Sequence, residues 1–242
     1  MVRVLMTRPE PGATQTARRL EAAGFTALLL PLTRIEALPV PDLAIDVGCV
    51  AVTSANAIRH APPELLRRLA AKPCFAVGAA TAAAARNAGF VTVIEGPGQA
   101  PAMAAEIVAS AGKGTVAYLC GRGRLPLFEE VLAQADIPVR PMETYDTLTQ
   151  SYAPEALRKA FGDAPVEAAL VYSLRAAQAL ANLRDTPEAG SFLTPTRFFC
   201  LSQRIAVGLG TVRPDRLFWS GMSEEAALLT QLRQTFFGAA SR

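Results

Sequence analysis

Short runs of β-branched and other apolar residues alternate along this chain with Ala- and Leu-rich stretches whose apolar positions recur at helical spacing. The first kind of run predicts strands at 2–6, 26–30, 48–52, 74–77, 91–94, 115–119, 138–142, 168–172, 198–201 and 217–219. The second kind predicts helices, among them 14–23 closed by Gly24, 79–88 closed by Gly89, and 125–135. Strand and helix in alternation imply right-handed βαβ units around a parallel sheet.

The pattern repeats. VLMTRPEPGATQTARRLEAAGFTALLLP is similar to VAYLCGRGRLPLFEEVLAQADIPVRPM, a strand–turn–helix–strand unit designated B. AVTSANAIRHAPPELL, FAVGAATAAAARNAGF and VIEGPGQAPAMAAEIV are similar in turn to LVYSLRAAQALANL, FFCLSQRIAVGLG and LFWSGMSEEAALLTQL. These form unit A, three strand–helix pairs, and the order along the chain is B, A, B, A. Only a few residues, around 111–114, separate the first A from the second B, as expected inside one sheet. The gaps at 31–46 and 143–167 are longer and suit crossings between lobes. The expected architecture is therefore α/β: two similar flavodoxin-like parallel-sheet lobes with a ligand cleft between them. Residues 42–140 form an inserted lobe, and residues 1–33 with 149–242 form a discontinuous one. Residues 34–41 and 141–148 alternate polar and apolar positions, and are expected to cross between the lobes as a two-stranded linker and hinge.

Composition narrows the function classes. The chain has 242 residues, of which 51% are apolar, enough for two small cored domains. No apolar run reaches the ~18 residues of a membrane helix, and Pro9, Glu10 and Pro11 fall where a signal peptide would be apolar. The expectation is a cytoplasmic protein without a membrane partner. A net charge of +3 is too weak to suggest nucleic acid. Cys49, Cys74, Cys120 and Cys200 are scattered and form no CxxC, so they read as reduced core residues. With His60 the lone histidine, no metal site is expected. All but three of the 24 basic residues are arginine, which suits bidentate binding of carboxylates.

In an open parallel sheet, ligands bind beyond the carboxyl ends of the strands. The residues there are Thr7-Arg8, Thr53-Ser54-Ala55-Asn56, Gly78-Ala79-Ala80-Thr81, Gly96-Pro97-Gly98, Gly121-Arg122-Gly123-Arg124, Ser173-Leu174-Arg175, Ser202-Gln203-Arg204 and Ser220-Gly221-Met222-Ser223. Small and hydroxyl residues cap helices and leave outward N–H groups. A cation at that end opposes the helix dipole. Arg8, Arg122, Arg124, Arg175 and Arg204 all sit there, so an anionic ligand is expected to relieve the conflict. GRGRLP begins like a dinucleotide fingerprint but lacks its third glycine, and neither GxxxxGK[ST] nor GxSxG is present.

TRPEPGATQTARRLEAAGFTALLLPL, VTSANAI, FAVGAATAAAARNAGF, ETYDT and VYSLRAAQAL, in this order and spacing, resemble the uroporphyrinogen-III synthase family over nearly the whole chain. The resemblance implies a cofactor-free enzyme of two lobes, part of haem, sirohaem, cobalamin or chlorophyll biosynthesis; a monomer is expected, since one cleft per chain suffices. Its substrate would be the linear tetrapyrrole hydroxymethylbilane, handed over by hydroxymethylbilane synthase. Such an enzyme forms uroporphyrinogen III with loss of water and inversion of ring D through a spiro intermediate. Tyr145 corresponds to the family's cleft tyrosine and would assist departure of the hydroxyl. Thr81 matches a cleft-facing position, with Thr53 and Ser54 as further contacts. The strand-end residues Thr7, Arg8, Asn56, Gly78, Gly121, Arg122, Arg124, Ser173, Arg175, Ser202 and Arg204 complete the expected substrate contacts. One departure stands out: where the family's C-terminal lobe often keeps Gly and Thr, this chain has Ser202-Gln203-Arg204-Ile205. Two other readings are a non-enzymatic two-lobed binder of a small polyanion and a nucleotide-dependent transferase. The missing phosphate loops disfavour the transferase.

Overall fold

The computed structural model describes residues 1–41, 46–110, 114–221 and 224–238. The elements begin with β1 (Arg3–Met6), α1 (Gly12–Ala22), β2 (Thr26–Leu29), β3 (Thr33–Ala37) and β4 (Cys49–Val52). Next come α2 (Ala55–Arg59), α3 (Pro63–Leu69), β5 (Cys74–Ala76), α4 (Ala79–Asn87), β6 (Val93–Glu95) and α5 (Ala100–Ser110). Then follow β7 (Val116–Gly121), α6 (Leu127–Gln134), β8 (Val139–Thr149), α7 (Pro154–Phe161), β9 (Ala168–Val171) and α8 (Leu174–Arg184). The last are α9 (Pro187–Leu193), β10 (Arg197–Cys200), α10 (Gln203–Val207), β11 (Leu217–Trp219) and α11 (Glu225–Phe237). Gly24 and Gly89 follow their helices with φ of 85° and 95°, the left-handed exit a glycine provides without strain.

The chain divides into two compact units, residues 1–34 with 148–242 (unit 1) and residues 35–147 (unit 2). Unit 1 holds a five-stranded sheet in the order β11-β10-β9-β1-β2, parallel throughout. The sheet of unit 2 runs β3-β8-β7-β4-β5-β6, with β8 to β6 parallel. Without β3, the two orders coincide once β7 and β8 are matched to β1 and β2, and β4, β5 and β6 to β9, β10 and β11. The same sheet is thus threaded in two ways, B before A in unit 1 and A before B in unit 2.

Strand period 2 sends alternate side chains to opposite helix layers. In unit 2, Val50 and Val52 join the core under α2, α3 and α4, and Cys49 and Ala51 join the one under α5 and α6. In unit 1, Leu5 packs with α7 to α10, and Val4 and Met6 face Leu20 of α1 and Leu228 and Leu232 of α11. All four cysteines are buried free thiols.

Two expectations change. The sequence predicts a strand at 138–142 followed by a linker at 141–148, but these residues form one continuous strand, β8. Its first half pairs with β7, and the hydrogen bond from Leu38 N–H to the Thr144 carbonyl (2.9 Å) falls just beyond the end of β3, its neighbour on the other side. Helix α6 starts at Leu127, not Leu125, because Pro126 takes the capping place before it. Residues 42–45, the start of the expected inserted lobe, lie outside the described residues.

Candidate active site

The direction of connection reverses between β4 and β7 in unit 2 and between β9 and β1 in unit 1, the topological switch points of such sheets. At the carboxyl ends of β4 and β7 lies a cavity of about 210 Å³ within unit 2. Thr53, Ser54, Gly121, Arg124 and Tyr145, all expected on sequence grounds, line it together. Tyr118, Leu125 and Ala100 line it as well, beyond the residues that the motifs single out. A buried phenol needs a partner for its hydroxyl. That requirement, applied to the lone tyrosine in VAYLCG, is the available signal for Tyr118.

The wall is built from hydroxyls. Ser54 caps α2, its Oγ accepting from the Asn56 N–H (3.2 Å). Ser54 and Tyr145 line the cavity together. Thr53 Oγ1 and Tyr118 Oη lie 2.9 Å apart. Burial pushes the Tyr118 phenol up to about 12, and the Thr53 hydrogen bond offsets part of that shift. Burial likewise raises the Tyr145 phenol, with the neighbouring Ser54 hydroxyl acting in the opposite direction. Both phenols therefore stay protonated at neutral pH and remain available as donors. His60 stands beside Tyr145, with ring centroids 6.3 Å apart, and burial followed by Arg59 lowers its pKa. It is thus a neutral imidazole at neutral pH.

Three strand-end arginines do not carry the unanswered charge that the sequence suggested. Arg124 Nη1 donates to Glu143 (2.8 Å), and its Nε and Nη2 reach Glu129 (3.0 and 3.2 Å). Arg122, more exposed, pairs with Glu143 (3.2 Å) and Asp146 (3.7 Å). In unit 1, Arg8 meets Glu225 (3.2 Å) and lies over the Tyr172 ring, 4.4 Å from its centroid. These carboxylates lie up to 217 residues away in sequence, which hid them from a reading of local motifs.

The other expected contacts are dispersed. Thr7 is fully buried, and its hydroxyl donates to the Leu170 carbonyl (2.8 Å), a bond internal to the unit 1 sheet. Ser173 caps α8 by accepting from the Ala176 N–H (3.1 Å). Ser202 precedes α10 without a side-chain cap, Arg204 is exposed, and Arg175 is half-buried. In unit 2, Gly78 precedes α4, Thr81 is buried in its first turn, and the Asn56 Oδ1 accepts from Arg59 (3.0 Å). Met222 and Ser223 lie outside the described residues. Among the described residues no helix is long and apolar enough to cross a membrane.

The model of the family described as uroporphyrinogen-III synthase HemD matches residues 14–209. A search of curated proteins finds no match. Among solved structures, the chain is similar to uroporphyrinogen-III synthetase from Helicobacter pylori, with 16% identity, a TM-score of 0.66, and coverage of 97% of this chain and 100% of that one. It is also similar to a mutant uroporphyrinogen III synthase from the extreme thermophile Thermus thermophilus, with 21% identity, a TM-score of 0.55, and coverage of 97% and 98%. These likenesses support the α/β fold with parallel sheets. The extent of the family match decides membership: this chain belongs to the uroporphyrinogen-III synthase family.

Proposed function

We propose that the cavity at the β4/β7 switch point is where this chain carries out its family's reaction. That reaction is the cyclisation of hydroxymethylbilane to uroporphyrinogen III in tetrapyrrole biosynthesis. The observation that carries the assignment is the Tyr145–Ser54 pair in a cavity at a switch point, a protonated phenol beside a helix cap. Closure with inversion makes and breaks bonds in turn. The hydroxyl on the exocyclic carbon of ring A leaves as water, and that carbon bonds to the already substituted position of ring D to give the spiro intermediate. The bond from ring D to the bridging carbon of ring C then breaks and re-forms at the free position of ring D, which loses its proton. Tyr145 donates its proton, or a hydrogen bond, to the departing hydroxyl as a weak general acid. The bilane closes without help to the uninverted isomer, so the protein's larger task is orientation. Leu125, at the cavity wall and 53% exposed, offers a pyrrole ring an apolar contact.

Substrate carboxylates bind in this reading by exchange. Arg122 is the exposed member of its cluster and trades Glu143 or Asp146 for an acetate or propionate of the bilane. In this reading β3 and β8 serve as the double connector between the two units. The same proposal has a monomer acting in the cytoplasm on substrate received from hydroxymethylbilane synthase.

The test is incubation with hydroxymethylbilane, followed by oxidation and separation of the porphyrin isomers. Type III isomer formed well above the spontaneous rate is expected. Type I isomer alone, at the spontaneous rate, removes the assignment.

A further inference from the structure

We infer that Gly121 and Thr144 are positioning residues that together aim Tyr145 into the cavity, an inference that rests on Tyr145 acting on the substrate. The pairing of β7 with β8 runs in step from Val116↔Val139 to Cys120↔Glu143 and then jumps to Gly121↔Tyr145. Thr144 is the extra residue of a β-bulge, a device that re-aims side chains. Its side chain is fully buried, and its hydroxyl donates to the Ala57 carbonyl (2.8 Å), which fastens the bulge to α2. Without the bulge Thr144 would stand opposite Gly121. The strand period of two would then turn Tyr145 to the other face, away from Ser54.

Gly121 supplies the room. A Cβ on this residue would lie 2.6 Å from Cζ, 2.9 Å from Oη and 3.0 Å from Cε2 of Tyr145. Gly121 is not among the glycines with positive φ, so space and not backbone freedom requires it. The atoms it would strike are at the far end of a side chain, so an alanine here moves the phenol and leaves the backbone in place. The Arg122 N–H still donates to the Tyr145 carbonyl (2.9 Å), so the ladder resumes once the bulge is passed. The phenol is thus fixed from two sides, by an anchored extra residue behind it and a missing Cβ beneath it.

The experiment measures kcat, KM and the type III to type I ratio for Gly121→Ala, Thr144→Val and Thr144→Ser, with Gly121→Ala also made in a Tyr145→Phe background. Circular dichroism checks each fold. Tyr145→Phe alone is expected to lower kcat roughly a hundredfold, the lower end of what a general acid contributes. Gly121→Ala should match it with KM little changed and more type I product, and the double variant should be no slower than either single. Thr144→Val should lower kcat, and Thr144→Ser, which keeps the hydroxyl, should restore it. Full kcat in Gly121→Ala beside a slow Tyr145→Phe overturns the positioning role and spares the role of Tyr145. Multiplicative losses in the double variant overturn it too. Full kcat in Tyr145→Phe removes the role of Tyr145 and the inference with it.

Discussion

At the carboxyl ends of β1 and β9 in unit 1, four donors converge on one carboxylate. Arg8, Arg19, the Thr16 hydroxyl and the Tyr172 hydroxyl all reach Glu225, the first residue of α11. At the matching place in unit 2, the ends of β7 and β4, there is a cavity of about 210 Å³. The matching helix is α5, and its first residue, Ala100, lines that cavity. The residue after β9 is Tyr172 and the residue after β4 is Thr53, so the smaller side chain again falls in unit 2. Two copies of one sheet order therefore diverge at a few positions. Where the helix begins with a carboxylate, the switch point is cross-linked and structural. Where it begins with a methyl group, the switch point holds a cavity.

The largest effect is expected from making unit 2 resemble unit 1. Ala100→Glu should place a carboxylate in the cavity near Arg124 and reduce turnover roughly a hundredfold, as misplacement within a reacting site does. Retention of most of the isomer III activity would show that the cavity is not where the substrate reacts.

The converse change should affect stability. Glu225→Ala leaves a fully buried Thr16 hydroxyl and the Tyr172 hydroxyl without their acceptor, along with two arginines. The expected cost is about 2–4 kcal/mol in urea unfolding. The location can be read separately, because Cys200 is the one cysteine in unit 1 and Cys49, Cys74 and Cys120 belong to unit 2. Burial raises the Cys200 thiol to about 12, so it is inert while unit 1 is folded. In mild urea Glu225→Ala should expose Cys200 to a thiol reagent before the other three. Simultaneous labelling of all four would mean that the cross-link is not local to unit 1.

The smallest effect concerns the carboxylates of unit 2. Glu143 has its pKa lowered from the ordinary 4.5, first by the Arg124 hydrogen bond and then by Arg122. A carboxyl depressed in the folded state contributes stability above its unfolded pKa and loses it as pH falls through the lower folded value. The stability gap between the wild-type protein and Glu143→Gln should therefore be constant near neutrality and shrink below about pH 4.5. A gap that does not change with pH across this acidic range would mean that the pairing adds nothing.

The alternation of strands and helices was legible because it depends on local periodicity, and so was the B, A, B, A order. The strand ends as the place to look followed from topology, and Thr53, Ser54, Gly121, Arg124 and Tyr145 do share one cavity. The bulge at Thr144 was not legible, since Glu143-Thr144-Tyr145-Asp146 reads as an ordinary alternating run. Nor were the partners of the arginines. Arg8 finds Glu225 only when the two ends of the chain meet in one sheet, and local sequence does not encode that encounter.

The threading of unit 1 also sets a schedule for synthesis. β1 is an interior strand flanked by β2 and β9, yet it ends at Met6 and β9 begins at Ala168. At ribosomal rates of roughly 5–20 residues per second, β1 waits on the order of 10–30 s for that neighbour. Unit 2 is contiguous and has every strand by residue 149, so it folds while unit 1 still lacks three of its five strands. During that interval Val4, Leu5 and Met6, all fully buried in the finished protein, belong to a sheet with an open edge. The nascent chain therefore carries its long-lived unpaired apolar edge at its first βαβ segment, and not at the unit that carries the cavity.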